Sequence, residues 1–177
     1  MTVPANLRPA INPRTEKAAG VTAAALALAC ALIAGHEGKV NTTYIDALGR
    51  GKPLTYCYGS TVGAVAGKRY TEEQCEQALY RDARQHANDI LPYLPPRLPD
   101  RTAAAFYDFG YNVGAETFRR SSVSRKALAG DLAGACRAMG LYVFTQGKDC
   151  RIAANRCGGI IKRRNAEVAL CLSGLSQ

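Results

Sequence analysis

This chain is short of the residues on which several common functions depend. It has no tryptophan and only two histidines, His36 and His86, in 177 residues. Seven cysteines are present, yet no CxxC occurs, and Cys57, Cys75, Cys136, Cys150, Cys157 and Cys171 match no zinc-ligand spacing, so no metal site is expected. Disulfides formed in an oxidising compartment account for them better, and an odd total leaves one thiol over. Acids are scarce: 14 against 23 Lys and Arg give a net charge of +9 and a pI near 9.4. That surplus suits an anionic partner such as nucleic acid, anionic lipid or the bacterial cell wall. Basic residues are not interleaved with aromatics in any stripe, so nucleic acid is not the expected partner. There is no internal repeat. A chain of this length with 47% hydrophobic residues supports one domain with a core, or one domain and an appendage.

Charge is also missing locally. Ala18 to Gly35 contains no charged residue, and as a helix it spans roughly 27 Å, just short of the ~30 Å hydrocarbon core of a bilayer. Eleven of these 18 residues are Ala or Gly, and only Val21, Leu26, Leu28, Leu32 and Ile33 are strongly apolar, so the span is long enough but weak. Residues 1–17 carry Pro4, Pro9 and Pro13 with Arg8, Arg14 and Lys17, which predicts an unstructured basic N-terminus held on the cytoplasmic side. Three readings compete for 18–35. It is a cleaved signal peptide with a site at Ala27-Leu28-Ala29, a lipoprotein signal using Cys30, or an uncleaved anchor. Ala27 disfavours the second, standing where such sites prefer Leu. By itself the segment favours cleavage.

Downstream, "PLTYCYGSTVGAV" reads as a small hairpin or sheet. Thr71 to Leu91 reads as a helix with a Thr71/Gln74 capping box, ended by "LPYLPPRLP". Thr102 to Val113 is apolar nearly all round and is expected to be central, with Gly114 at its end. Short helices are expected at Ser122–Ala129 and Asp131–Gly140, and a last one at Ile160–Leu172. A small sheet followed by a mainly helical body predicts an α+β fold.

Two acids flank the end of the apolar run, Glu37 and Asp46. Glycoside hydrolysis needs one carboxyl group as acid and a second to activate water or attack carbon. Glu37, at the end of an apolar helix, is expected to be partly desolvated and held protonated, whereas Asp46 follows Tyr44 in a polar segment where ionisation is easier. The residues around them carry a resemblance. "HEG", "YIDALG" and "LTYCYGST", then "AAFYDFGYNVGAETFRRSSV", then "GGIIKRRNAEVALCL" resemble the ordered motifs of phage-type lysozymes, glycoside hydrolase family 24, over about 36–172.

The resemblance implies a lysozyme-like fold, with a small β lobe, a helical C-terminal lobe and an N-terminal apolar helix. It implies Glu37 as general acid, Asp46 as the carboxylate that positions the attacking water, and Thr55 as its polar partner. It implies an inverting reaction, for which the carboxyls stand ~6.5–9.5 Å apart. The bond cut would be the β-1,4 link between N-acetylmuramic acid and N-acetylglucosamine in peptidoglycan, with no cofactor. Asn112 matches a polar position of the family's substrate cleft. Ser60 stands where many members have His, which changes a contact beside the site. Arg163, Arg164 and Glu167 read as a structural ion-pair helix, and Tyr44 and Tyr58 as packing residues.

In this family a helix before the catalytic Glu belongs to the fold, so cleavage near Ala29 would remove most of it. The chain thereby resembles the signal-anchor-release subgroup of phage endolysins. Residues 18–35 are then an uncleaved anchor in the host inner membrane, later released to the periplasm with the 36–177 catalytic domain. Release in concert with a phage holin, and a monomeric enzyme, are further expectations. Cys57–Cys75, Cys136–Cys171 and Cys150–Cys157 are the disulfides expected in the released form, leaving Cys30 as a regulatory thiol or simply a small apolar residue. Two rivals remain: a lytic transglycosylase, and a tethered wall-binding protein without catalysis.

Overall fold

Thr22 takes an extended backbone and its hydroxyl accepts the Ala25 N–H, which starts helix α1, Ala23–His36. In the computed structural model, which describes residues 20–46 and 51–176, α1 is the first element. The expected unstructured stretch 1–17 and the first two residues of the apolar run lie outside the described residues. Strands β1 (Val40–Ile45) and β2 (Leu54–Cys57) follow, then α2 (Glu72–Ile90), a 3-10 turn at Leu91–Tyr93, and α3 (Asp100–Val113). Short helices α4 (Ala115–Arg120), α5 (Ser122–Leu128) and α6 (Leu132–Met139) lead through β3 (Phe144–Thr145) and β4 (Lys148–Asp149) to α7 (Gly159–Leu175).

The local signals act as expected where they are self-contained. Thr71 and Gln74 form a full capping box on α2, and the Asp131 side chain accepts the Gly134 N–H at the head of α6. The sheet differs from expectation. "PLTYCYGSTVGAV" does not fold back on itself; β2 pairs antiparallel with β1, setting Val40 opposite Cys57 and Tyr44 opposite Thr55, with an irregularity between Val40 and Tyr44. The residues after β2 form turns closed by the mutual Tyr56–Ser60 backbone bonds. β1 escaped notice because its polar residues do not alternate with apolar ones: only Val40, Tyr44 and Ile45 of its six are apolar, and all three are exposed.

Helix α3 is the centre of the helical lobe. Every residue from Thr102 to Gly110 is buried, and α1, α2 and α7 pack around it. Close approach is set by small residues. Ala25 and Ala29 bring α1 onto the main core, while Leu26 and Ile33 join Leu79 and Ala83 of α2 in a second cluster. The head of α1 is fastened to α3 by polar bonds: Thr22 donates to Asp100, and the Tyr107 hydroxyl donates to the Gly20 carbonyl at 3.2 Å. Disulfides tie Cys57 of β2 to Cys75 of α2, Cys136 of α6 to Cys171 of α7, and Cys150 to Cys157 ahead of α7.

Where α7 crosses the start of α3, a Cβ on Gly174 would lie 2.5 Å from the Thr102 hydroxyl oxygen and 2.8 Å from its backbone nitrogen. Neither atom is the far end of a flexible chain. Gly174→Ala is therefore expected to lower unfolding free energy by about 1–3 kcal/mol through overpacking, read from the urea midpoint at unchanged m-value.

Candidate active site

Glu37 occupies the C-terminal cap of α1, and its N–H donates to the Ile33 carbonyl at 2.8 Å. Packing of the apolar helix thus determines where this acid stands. Its carboxylate is not in the apolar surroundings expected of it. The side chain is 31% exposed and pairs at 2.6 Å with Nη1 of Arg163, which lies 126 residues on and is itself 4% exposed. Arg163 Nη2 binds Oδ1 of Asp108 at 2.6 Å, and Asp108 is wholly buried on α3. The catalytic candidate is therefore held by a guanidinium that is held in turn by the core.

Asp46 and Thr55 are joined through a single carbonyl. The Asp46 N–H donates to Pro53 O at 3.0 Å, and the Thr55 hydroxyl donates to the same oxygen at 3.1 Å. Thr55 is buried, and its only hydroxyl hydrogen is committed to Pro53, so what it can offer a water is an acceptor lone pair. Opposite Thr55 on β1 stands Tyr44. Burial pushes its phenol above the usual value, and the negative charges of Asp46 and Glu37 add to that shift. Both acids therefore act on one partly exposed tyrosine, which the sequence reading treated as packing.

The remaining predicted residues take structural partners. Asn112 Oδ1 accepts a hydrogen bond from Arg164 Nη2 at the end of α3. Arg164 also binds Glu167 at 2.6 Å and the Tyr142 carbonyl at 3.0 Å, and lies over the Phe109 ring at 4.7 Å. Ser60 is buried and its hydroxyl accepts from Arg81 Nη2 at 2.7 Å; the same nitrogen reaches the Tyr56 hydroxyl at 3.4 Å and pairs with Asp82 at 2.8 Å. A charged contact at this corner is thus present, supplied from α2 by arginine in place of an imidazole on the turn. Tyr111 completes the join, donating to the Tyr58 carbonyl at 3.0 Å. Asp108 and Arg81 are functional neighbours that the sequence reading missed.

Cys30 is the one free cysteine among the described residues. It sits half-buried in an open groove of about 650 Å³ between α1 and α2, lined also by Ala27, Glu76, Gln77, Leu79 and Tyr80. Burial pushes its thiol up, which lowers its thiolate fraction and its reactivity in this packed state. No cluster of His, Cys, Asp and Glu able to hold a metal exists among the described residues.

Comparison with known proteins places this geometry among others. The family model described as phage lysozyme matches residues 34–167. The chain is 36% identical over 168 residues to the SAR-endolysin of Bacteriophage PS119, covering 91% of this chain and 95% of that one. It is 33% identical over 176 residues to the SAR-endolysin of Enterobacteria phage PA-2, covering 97% and 99%. Among solved structures, the muramidase domain of SpmX from Asticaccaulis excentricus superposes with a TM-score of 0.70 at 24% identity, covering 81% of this chain and 94% of that domain, a likeness of fold.

Arg81→Met keeps the length of the side chain and removes its donors to Ser60 and Tyr56. At a partly exposed site this is expected to cost about 1 kcal/mol, with Ser60→Ala costing less, both read by chemical denaturation.

Proposed function

Because the chain belongs to the phage lysozyme family, which makes it a lysozyme-type glycoside hydrolase and a phage endolysin, we propose that it is a muramidase acting on the β-1,4 bond between N-acetylmuramic acid and N-acetylglucosamine. Glu37 gives its proton to the glycosidic oxygen as the bond breaks. Asp46 takes a proton from the attacking water, which Thr55 orients through a lone pair, and the configuration at the anomeric carbon inverts. Arg163 fixes the Glu37 carboxyl and stabilises the anion left when the proton has gone. Asn112 offers its amide N–H groups to the sugar. The observation that supports this reading most is the joining of Asp46 to Thr55 through Pro53 O, with Glu37 held from behind by Arg163.

The division of the chain belongs to the same proposal: a basic 1–17, an anchor at 18–35 and a catalytic domain at 36–177. A helix apolar on every side is ordinarily buried in a core or in lipid. Here α1 carries no polar face although Ala23, Ala24, Ala27, Leu28 and Ala31 are exposed. Such a helix suits two environments, the bilayer of the host inner membrane first and the enzyme's own core after release to the periplasm. No described helix is long and apolar enough to cross a membrane; α1 as folded has 14 residues. In lipid, Glu37 would be pinned at the membrane surface, away from Arg163 and Asp46. The enzyme then waits for release, which a holin that collapses the membrane potential would trigger. The positive surface favours an anionic wall, and the enzyme works as a monomer.

Glu37→Gln is expected to reduce sacculus lysis by roughly 10²–10⁴-fold while wall binding persists. Wild-type products are expected to carry reducing ends; anhydro ends would assign transglycosylation, and undiminished lysis by the variant would remove Glu37 from the reaction. An intact N-terminus on the periplasmic protein is expected for anchor release, whereas a start near Cys30 would mean cleavage.

A further inference from the structure

The interior behind Glu37 contains an unbalanced set of charges. Asp108 on α3, Glu167 on α7 and Glu37 at the end of α1 supply three carboxyl groups, against the guanidiniums of Arg163 and Arg164 on α7. Asp108 and Glu167 are wholly buried. Arg163 serves all three acids: Nη1 binds Glu37, Nη2 binds Asp108, and Nε lies 3.4 Å from Glu167 without completing a hydrogen bond. Arg164 is directed to Glu167, Asn112 and the Tyr142 carbonyl. Two tyrosines also face the set: Tyr111 on α3, in the field of Glu37 and Arg163, and Tyr44 on β1, in the field of Glu37.

Two buried atoms in this set lack a hydrogen bond, Arg163 Nε and Asp108 Oδ2. Asp108 Oδ2 is buried and receives no hydrogen bond, while the Glu167 carboxyl, equally buried, stands against the same Arg163 guanidinium that holds Asp108. Two ionised carboxylates buried on one guanidinium would repel each other, and a buried carboxylate oxygen without a donor is costly. A proton between them removes both penalties and leaves two positive and two negative charges. We propose that Asp108 and Glu167 share one proton at neutral pH, and that this proton keeps Arg163 available to clamp Glu37. Burial acts in the same direction, pushing the Glu167 carboxyl up against the opposing charge of Arg164, with the charge of Asp108 adding to the rise.

The consequence for Glu37 follows from competition for one cation. With the proton in place, Arg163 faces a single buried negative charge and has Nη1 to spare. Without it, two buried carboxylates draw the guanidinium inward. Glu37, the only one of the three acids with access to water, is the one that lets go. Asp108 and Glu167 are thus positioning residues that act through Arg163. The link to turnover rests on Glu37 being the general acid, whereas the shared proton does not.

The folded chain holds a proton that the unfolded chain releases in the ordinary carboxylate range. Its contribution to stability is therefore complete at low pH and declines as pH rises toward the raised value of the Glu167 carboxyl. Carboxyl ¹³C spectra of full-length wild-type protein labelled at Asp and Glu are expected to show one buried carboxyl still protonated at pH 6.5 and titrating only on the way to pH 9. Glu167→Gln, whose amide N–H replaces the proton, is expected to flatten the decline of the urea midpoint between pH 6 and 9. It is also expected to remove one proton loss from the basic limb of kcat, each enzyme being scaled to its own maximum. Superimposable stability profiles for the two proteins overturn the proposal. So does a wild-type spectrum with every carboxyl ionised at pH 6.5, which decides the matter even if the variant does not fold. A spectrum and stability profile as expected, with identical kcat limbs, would keep the shared proton and overturn its link to Glu37.

Discussion

The bond between Glu37 and Arg163 is the point through which the structure becomes a site. One partner caps the C-terminus of a helix with no charge and little hydrophobic bulk, and the other lies in the final helix, 126 residues away. Neither is positioned by its own neighbourhood. Glu37 is where it is because Ala25, Leu26, Ala29 and Ile33 are packed against α2 and α3, and Arg163 because Asp108 holds it from inside α3. If α1 leaves, the acid leaves with it and a buried guanidinium loses a partner. Removing the partner of a buried guanidinium is costly even where that partner itself reaches water. Folding of the helical lobe and assembly of the cleft are therefore one event.

The other half of the site has a different support. Asp46 and Thr55 hang from Pro53 O in a two-stranded sheet, and two strands alone are marginally stable in water. The Cys57–Cys75 disulfide, the Arg81 bonds to Ser60 and Tyr56, and the Tyr111 bond to Tyr58 fasten that sheet to α2 and α3. Each of these lies within a few residues of Thr55. The two acids are thus carried by separate supports that meet at α3, which explains why that helix is buried along most of its length.

Much of the fold was legible because its signals are local. The Thr71–Gln74 capping box, the Asp131 cap and the all-round apolar character of 102–113 each depend on residues within a turn or two, and the structure uses them as written. The motif order around Glu37, Asp46 and Thr55 supported the same fold. What was hidden depends on distant partners. β1 lacks alternation and is a strand only because β2 lies beside it. Arg163 and Arg164 were legible as an ion-pair helix with Glu167, yet nothing in their spacing directs one of them to Glu37. Asp108 reads as a polar interruption in an apolar helix until α7 is laid across it, and Arg81 reads as a surface residue of α2 until Ser60 is placed against it.

Coupling between the location of α1 and the position of Glu37 is the central claim, and it can be measured on one protein in two places. Full-length chain is anchored in anionic lipid vesicles with the 36–177 domain outside, and its turnover of a soluble glycan fragment is followed before and after α1 leaves the bilayer. A soluble substrate removes any limit from access to a wall. The account predicts that the anchored form turns over at least ~100-fold more slowly than the released form, the scale of a missing general acid. Equal turnover in the two states would contradict it.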